Sequence, residues 1–370
     1  MAPSLGLDAA TLRRLNIGVV GIGRMGQRHA MNILHHTLRA NLICVCSPAK
    51  SDLDWADQNL KHHGVKVYAT FEEMIMEPGL EAVVIASATS FHVSHSLESL
   101  RRGIHVLCEK PVTLKLDELQ SLVHQCEAHP ETKMMVGFTR RFDADYKYAR
   151  EKVVAGRIGR PLILRSHGCE PFDTSDFFVP YAKASGGIFV DSTIHDIDLT
   201  LSFFGENIQP KALWATGVVA KHLELGRFDD VDNAVGVVEF WGGMVAHYYH
   251  SRTAVNGYDN TTEIFGMDGK LTINSVPRLN RVDILNTSGV VNEVIPGWID
   301  RYKEAFVTEI NDFTSAILDQ TDLPMKLTSA ITSLKIGLAL QESLVTGERI
   351  QFDQQGNRLS SNSCISGVCV

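Results

Sequence analysis

The sequence predicts an α/β protein of two unlike domains. The first is a doubly wound parallel sheet over about residues 1–140, and the second is an α/β domain over about residues 141–370 built on a large open, mostly antiparallel sheet. Three observations carry this. Short apolar runs alternate with amphipathic stretches of about 10–15 residues through the first third of the chain, the rhythm of βαβ units. A glycine cluster stands at the first turn of that rhythm. Beyond about residue 160 the helices drop out and long strand-rich segments follow one another. A chain of 370 residues also exceeds what one hydrophobic core supports.

In order, residues 15–21 read as a buried strand, an apolar β-branched run stopped by glycine, and Met25 to Arg39 as a helix with Met25, Ala30, Ile33, Leu34 and Leu38 along one face. A strand at 41–46 and a helix near 52–63 follow. Then come a strand at Glu81–Ala86, a helix from His92 to Arg102, a strand at His105–Cys108, a helix at Leu116–Ala128 and a strand at Lys133–Gly137. In the second domain the strand-rich segments are 211–220, 231–254, 261–275 and 281–295. Hairpin turns are signalled at Trp241-Gly242-Gly243, Met267-Asp268-Gly269 and Thr287-Ser288-Gly289. Helical patterns at 298–319 and 327–346 precede a polar tail at 356–363.

The composition excludes several functions. Hydrophobic residues make up 44% and charged residues 21%, a globular balance, and the net charge of -8 gives no positive field for nucleic acid or an acidic membrane. Arg13-Arg14, Arg101-Arg102 and Arg140-Arg141 are isolated pairs rather than a phosphate-tracking stripe. No apolar run approaches the ~18 residues of a membrane span, and residues 1–14 lack a signal-peptide core, so the expected setting is the cytoplasm. Seven cysteines, an odd number without a CxxC pair, are expected as free thiols, with Cys364 and Cys369 spare in the tail. Among fifteen histidines, His35-His36 and His62-His63 lack accompanying carboxylates or cysteines at ligand spacing, so no metal site is expected.

Gly21-Ile22-Gly23-Arg24-Met25-Gly26 fits G-x-G-x-x-G between a strand and a helix. The first glycine allows the tight turn, the second lets backbone approach a pyrophosphate, and the third lets helix and strand pack closely. The free N–H groups of the helix start face that pyrophosphate. The expectation is a Rossmann domain holding NAD or NADP. An acidic residue about 20 positions on bonds the ribose of NAD, but here strand two runs into Ser47-Pro48-Ala49-Lys50. A hydroxyl with Lys50 nearby suits a 2′-phosphate, which tilts the expectation to NADP. Asp52 or Asp54 supplies the carboxylate instead if the loop is longer.

Three further runs complete a pattern: Gly103-Ile104-His105-Val106-Leu107-Cys108-Glu109-Lys110-Pro111, Val136-Gly137-Phe138-Thr139-Arg140-Arg141-Phe142-Asp143, and Gly186-Gly187-Ile188-Phe189-Val190-Asp191-Ser192-Thr193-Ile194-His195-Asp196-Ile197-Asp198. With the glycine loop they resemble the glucose-fructose oxidoreductase, inositol dehydrogenase and rhizopine catabolism family (Gfo/Idh/MocA) over about residues 15–350, nearest its inositol 2-dehydrogenase branch. The resemblance implies reversible hydride exchange between the nicotinamide and a ring hydroxyl of a cyclitol or sugar. It also implies a cis bond before Pro111, and a cofactor site that takes in Ala88, Thr89, His92, Glu109 and Lys110.

Lys110 follows an apolar strand directly, so it belongs at the carboxyl end of the sheet, where its ammonium favours a developing alkoxide. Asp191 and His195, four apart in a segment of helical character, share a face, and an imidazole titrating near neutrality suits removal of a hydroxyl proton. Substrate contacts are expected from Lys110, Arg140, His167, Asp191, His195 and Tyr258. Tyr258 resembles a substrate-contacting tyrosine of inositol dehydrogenases, and Arg141 is expected to face solvent. Cys169 departs from the more polar residue some inositol dehydrogenases carry. Alternatives are a dehydrogenase of another sugar or secondary-metabolite ketone, and a silent nicotinamide-binding sensor. An open sheet needs a partner for its bare face, so a homodimer or homotetramer is expected.

Overall fold

The structure is a computed structural model that describes residues 13–175 and 177–360. Cys364 and Cys369 lie outside the described residues. The chain forms two compact units. One comprises the residues up to Gly137 together with Phe306–Leu327, and the other comprises Phe138–Ala305 and the residues from Thr328 on. The expectation of one contiguous second domain from residue 141 therefore differs in one stretch, Phe306–Leu327, which packs with the N-terminal unit.

In the first unit six strands, β1 (Leu15–Val20), β2 (Ala40–Cys46), β3 (Lys66–Tyr68), β4 (Ala82–Ile85), β5 (His105–Cys108) and β6 (Met134–Val136), form an all-parallel sheet of order β3-β2-β1-β4-β5-β6. Between them run α1 (Arg24–His36), α2 (Lys50–Asn59), α3 (Phe71–Met74), α4 (Thr89–Arg101) and α5 (Leu116–Ala128). Helices on both faces of the central strands leave no room for polar side chains, so all four residues of β4 are buried. The order reverses between β1 and β4, and that switch point is where doubly wound sheets bind ligands. Leu38, expected on the buried face of α1, lies beyond the helix end and is exposed.

The second unit opens with α6 (Ala144–Val154), β7 (Pro161–Pro171), α7 (Phe178–Ala184), α8 (Ile188–Asp191) and α9 (Ile194–Phe204). It continues through β8 (Pro210–Val218), β9 (Asn233–Phe240), β10 (Met244–Ala254), β11 (Asp259–Gly266), β12 (Lys270–Ile273), β13 (Ile284–Asn286) and β14 (Gly289–Val291). The last described elements are α10 (Trp298–Arg301), α11 (Lys303–Leu318), which passes into the first unit, α12 (Thr328–Thr346) and β15 (Ile350–Gln351).

Seven strands form one sheet of order β12-β11-β7-β10-β9-β8-β15, antiparallel except for the parallel pair β7–β10. Its strands alternate, as β9 does residue by residue, because α9 and α12 cover only one face. The other face carries Ile163, Trp214, Val235, Val237, Tyr249 and Phe265 in register across β7–β11, and Ile163, Trp214, Tyr249 and Phe265 are each at least 38% exposed. The strand-rich segment 281–295 contributes only the small separate hairpin β13–β14.

Candidate active site

In the first unit the turn from β1 to α1 is built as the glycine pattern requires. Gly21 has φ 86°, and a Cβ there would meet the backbone of Ser87 at 2.6 Å. A Cβ on Gly26 would lie 1.7 Å from the carbonyl oxygen of Gly21, so this helix cannot pack against its strand with any larger residue. A Cβ on Gly23 would meet nothing within 4 Å. The open side of the turn, with no acidic residue or side-chain cap at the start of α1, fits a pyrophosphate. A cavity of about 900 Å³ adjoins it, reached by Ser47, Ala49 and Asp52 after β2, Ala86 and Ala88 after β4, and Phe91 and His95 of α4. His95 stacks between Phe71 and Phe91, with ring centroids 4.1 and 5.6 Å apart.

Of the two alternative carboxylates, it is Asp52 that lines the cavity. Ser47 Oγ donates to Asp52 Oδ2 at 2.7 Å, so the hydroxyl expected to receive a 2′-phosphate instead fixes a carboxylate in the cavity. Lys50, expected beside it, points to solvent at 88% exposure and lies 3.7 Å from Asp54, a surface pair one helical turn apart. Arg24 is exposed, Met25 and Thr89 are half-buried, and Ala88 is exposed at the cavity. His92, expected to touch cofactor, is 2% exposed and bridges backbone, Nδ1 to the Pro111 carbonyl at 2.9 Å and Nε2 to that of Ser87 at 2.8 Å. It ties the Lys110-Pro111 turn to the loop after β4 and is not presented to the cavity.

Lys110 stands two residues past β5, half-buried, and the Lys110-Pro111 bond is cis. Glu109 anchors it. Its Oε2 accepts the Lys110 N–H at 3.2 Å while its Oε1 lies 2.7 Å from Nε2 of the buried His29 on α1. Burial alone would raise the Glu109 carboxyl, but the hydrogen bond and charge of His29, with Lys110, hold it below its usual range.

In the second unit Gly187, with φ 88°, caps the start of α8, and a Cβ there would lie 2.2 Å from the Gln341 side chain. The short helix ends on Asp191. Ser192 and Thr193 break the run before α9, so Asp191 and His195 stand at the adjoining ends of two helices rather than on one continuous face as the spacing suggested. Asp191 Oδ1 accepts the Tyr181 hydroxyl at 2.7 Å, and its Oδ2 is 3.4 Å from Arg252 Nη2. The His195 ring is half-buried and stands edge-on to Phe138, with centroids 6.2 Å apart.

Arg140 and Tyr258 are brought together, but inside a buried network. Arg140 Nη1 donates to Asp196 at 2.7 Å and Nη2 to the Tyr258 hydroxyl at 3.4 Å, and Ser166 also donates to Asp196 at 2.6 Å. Arg140 therefore braces the first turn of α9 beside His195. Arg141, expected in solvent, is 7% exposed and binds Asp198 with Nε and Nη2 and Glu206 with the third nitrogen, Nη1. His167 departs from expectation by the pleat of β7. Ser166 points to the α9 side, so His167 points to the open face, bonded to Asp259 at 3.0 Å beside Tyr249. The structure thus does not bring His167 to Arg140 and Tyr258.

Sequence reasoning missed Tyr181 and Arg252, and held Asp52 only as an alternative to Ser47 and Lys50. His35, His36, His62 and His63 meet as edge-on or tilted rings, and no group of three or more His, Cys, Asp or Glu among the described residues is arranged to hold a metal.

The family description "Oxidoreductase family, NAD-binding Rossmann fold" matches residues 15–138, and the GFO/IDH/MocA C-terminal domain matches residues 146–272. The chain is 30% identical over 347 residues to a scyllo-inositol 2-dehydrogenase (NAD(+)) of Bacillus subtilis, covering 92% of this chain and 97% of that protein. It is 28% identical over 340 residues to a myo-inositol 2-dehydrogenase of Thermotoga maritima, covering 92% and 99%. A crystal structure of scyllo-inositol dehydrogenase from Lactobacillus casei with bound NAD(H) and scyllo-inositol superposes with a TM-score of 0.86 at 32% identity, covering 92% of this chain and 99% of that one. Both domain matches and these relatives show that the chain belongs to the Gfo/Idh/MocA family of oxidoreductases.

Proposed function

We propose that the protein is an NAD-dependent dehydrogenase that reversibly oxidises a ring hydroxyl of an inositol-type cyclitol to the ketone. The observation that carries this reading is the occurrence of a dinucleotide cavity, a lysine at the end of β5 and an adjoining Asp/His pair in a chain matched over 92% to a dehydrogenase solved with NAD(H) and scyllo-inositol. A bound nicotinamide would accept or return the hydride. The glycine turn and the start of α1 would hold the pyrophosphate, and Asp52 the adenosine ribose hydroxyls.

In this reading His195 takes the hydroxyl proton as the ketone forms and returns it in reduction, a task suited to an imidazole. The Lys110 ammonium lowers the cost of the developing alkoxide. Asp191 orients the substrate and the histidine through its charge. Arg140 acts from behind, through Asp196.

Asp52 supports NAD over NADP, against the expectation from Ser47 and Lys50, because a carboxylate there repels a 2′-phosphate. The apolar outer face of the second unit's sheet supports a homodimer or a larger homo-oligomer. The free cysteines Cys44, Cys46, Cys108, Cys126 and Cys169 suit a reducing cytoplasm. The test is a reduced-nicotinamide absorbance assay over scyllo-, myo- and chiro-inositols and common aldoses, each with NAD and NADP. Turnover of a cyclitol with NAD is the expected result, and turnover of aldoses alone would replace the substrate class.

A further inference from the structure

Asp191 sits inside a closed ring of contacts that the proposed chemistry does not itself require. Arg252, on β10, is 2% exposed and its Nη1 donates to Asp230 Oδ2 at 2.7 Å and to the Val231 carbonyl at 3.2 Å, while its Nη2 lies 3.4 Å from Asp191. Asp230 in turn accepts the backbone N–H of Ile188 at 2.8 Å through its other oxygen. Ile188 is the first residue of α8 and Asp191 the last. One carboxylate therefore pins the start of this four-residue helix and the arginine bonded to it holds the end.

A second arm comes from α7. Phe178 and Tyr181, three apart on one helix face, both turn to the ring: Phe178 lies under the Arg252 guanidinium, 5.4 Å from its ring centroid, and Tyr181 donates to Asp191 at 2.7 Å.

Such a ring is a poor device for stability. A buried arginine and its carboxylates gain little net energy over well-packed apolar side chains of the same volume, because desolvating the charges costs about what their attraction returns. What it does supply is geometry, since a planar fork offers fixed directions and little freedom to drift. We propose that Arg252, Asp230 and Tyr181 are positioning residues that fix the Asp191 carboxylate for proton and substrate handling beside His195. The proposal rests on the dehydrogenase reading and adds to it the reason why a helix of one turn can hold a reacting group.

The test compares Tyr181→Phe and Arg252→Lys with the unaltered protein, using the cyclitol that the substrate panel identifies. Tyr181→Phe removes one hydroxyl and keeps the ring; Arg252→Lys keeps the charge and loses the fork. Both should lower kcat by about tenfold or more, the scale of a misplaced reacting group. Binding of NADH, read by fluorescence, and the thermal midpoint of Tyr181→Phe should stay close to the unaltered values. With substrate deuterated at the oxidised carbon, the isotope effect on kcat should rise in Tyr181→Phe, because chemistry becomes the slow step, a change that a merely structural role would not produce. If Arg252→Lys fails to fold, Tyr181→Phe decides alone. A kcat within about threefold of the unaltered protein in Tyr181→Phe overturns the proposal. An unaltered protein inert towards every polyol would instead remove the dehydrogenase reading, and the positioning role with it.

Discussion

Asp52 holds a negative charge in the cavity at the end of β2, and Ser47 is turned to it as a donor. Asp52→Ala is expected to lower the KM for NADP by about tenfold or more while raising that for NAD, since about 1.4 kcal/mol of relieved repulsion suffices for a factor of ten. Initial rates with both coenzymes measure it, and an unchanged NADP preference would place discrimination elsewhere. Lys110→Ala is expected to cut kcat by about 100-fold or more with NADH binding nearly intact; full turnover would remove the lysine from the chemistry. Lys110, Asp191 and His195 stood out as candidates because each lies in a distinctive run of neighbours. Asp52 stood only as an alternative to Ser47 and Lys50, because the serine at the expected position gives no hint that its hydroxyl bonds a carboxylate five residues on. Arg252 and Tyr181 carry no sequence mark, since their partners are brought to them by separate elements.

The elements show where periodicity is sufficient and where it is not. The alternation of strands and helices was legible through five of the six parallel strands, because long apolar runs dominate a sheet covered on both faces. β3 escaped notice at three residues, and α3 at four, too short for any period to register. The break between α8 and α9 was hidden for the opposite reason, since the hydrophobic pattern continues through Ser192 and Thr193 while the backbone does not. The outward turn of His167 was not foreseen because its strand, β7, was not identified, and without the strand the pleat that sets its direction is unknown.

Gly187→Ala must place a side chain at φ 88° against Gln341, and should cost about 1–3 kcal/mol, read as a lowered unfolding midpoint. Asp232 accepts the N–H groups of Ala220, Lys221 and His222 at the turn between β8 and β9. Burial pushes its carboxyl up, but those backbone bonds outweigh it and hold it below the usual range. A depressed value means its contribution is intact above the unfolded carboxyl range near about pH 4 and is lost as pH falls through the lower folded value. Asp232→Asn should therefore lower stability at neutral pH and flatten the fall at acid pH, and parallel acid-unfolding curves would contradict this.

For the molecule as a whole, the outer face of the seven-stranded sheet presents Ile163, Trp214, Tyr249 and Phe265 with the His167–Asp259 pair among them. If that face joins two copies, Trp214→Asp should shift sedimentation at micromolar concentration towards the monomer. A native protein that already sediments as a monomer would contradict the expected assembly. The two-domain class and the character of both sheets were legible, because each follows from local pattern. The return of Phe306–Leu327 to the first unit was not, because nothing in the amphipathic stretch 298–319 says which sheet it will cover.

That return sets a condition on how the protein is made. Phe306 packs on His29, Asn311 bonds the His36 carbonyl, Asp319 holds Arg39 with two hydrogen bonds, and Lys133 reaches the Thr321 carbonyl. These partners flank a sheet whose last strand ends at Val136, yet they leave the ribosome only after residues 138–305 have been translated. At roughly 5–20 residues per second the nascent nucleotide-binding half waits on the order of ten seconds with one flank bare. Through that interval its apolar seam is a natural client for chaperones, until Phe306–Leu327 emerges to cover it.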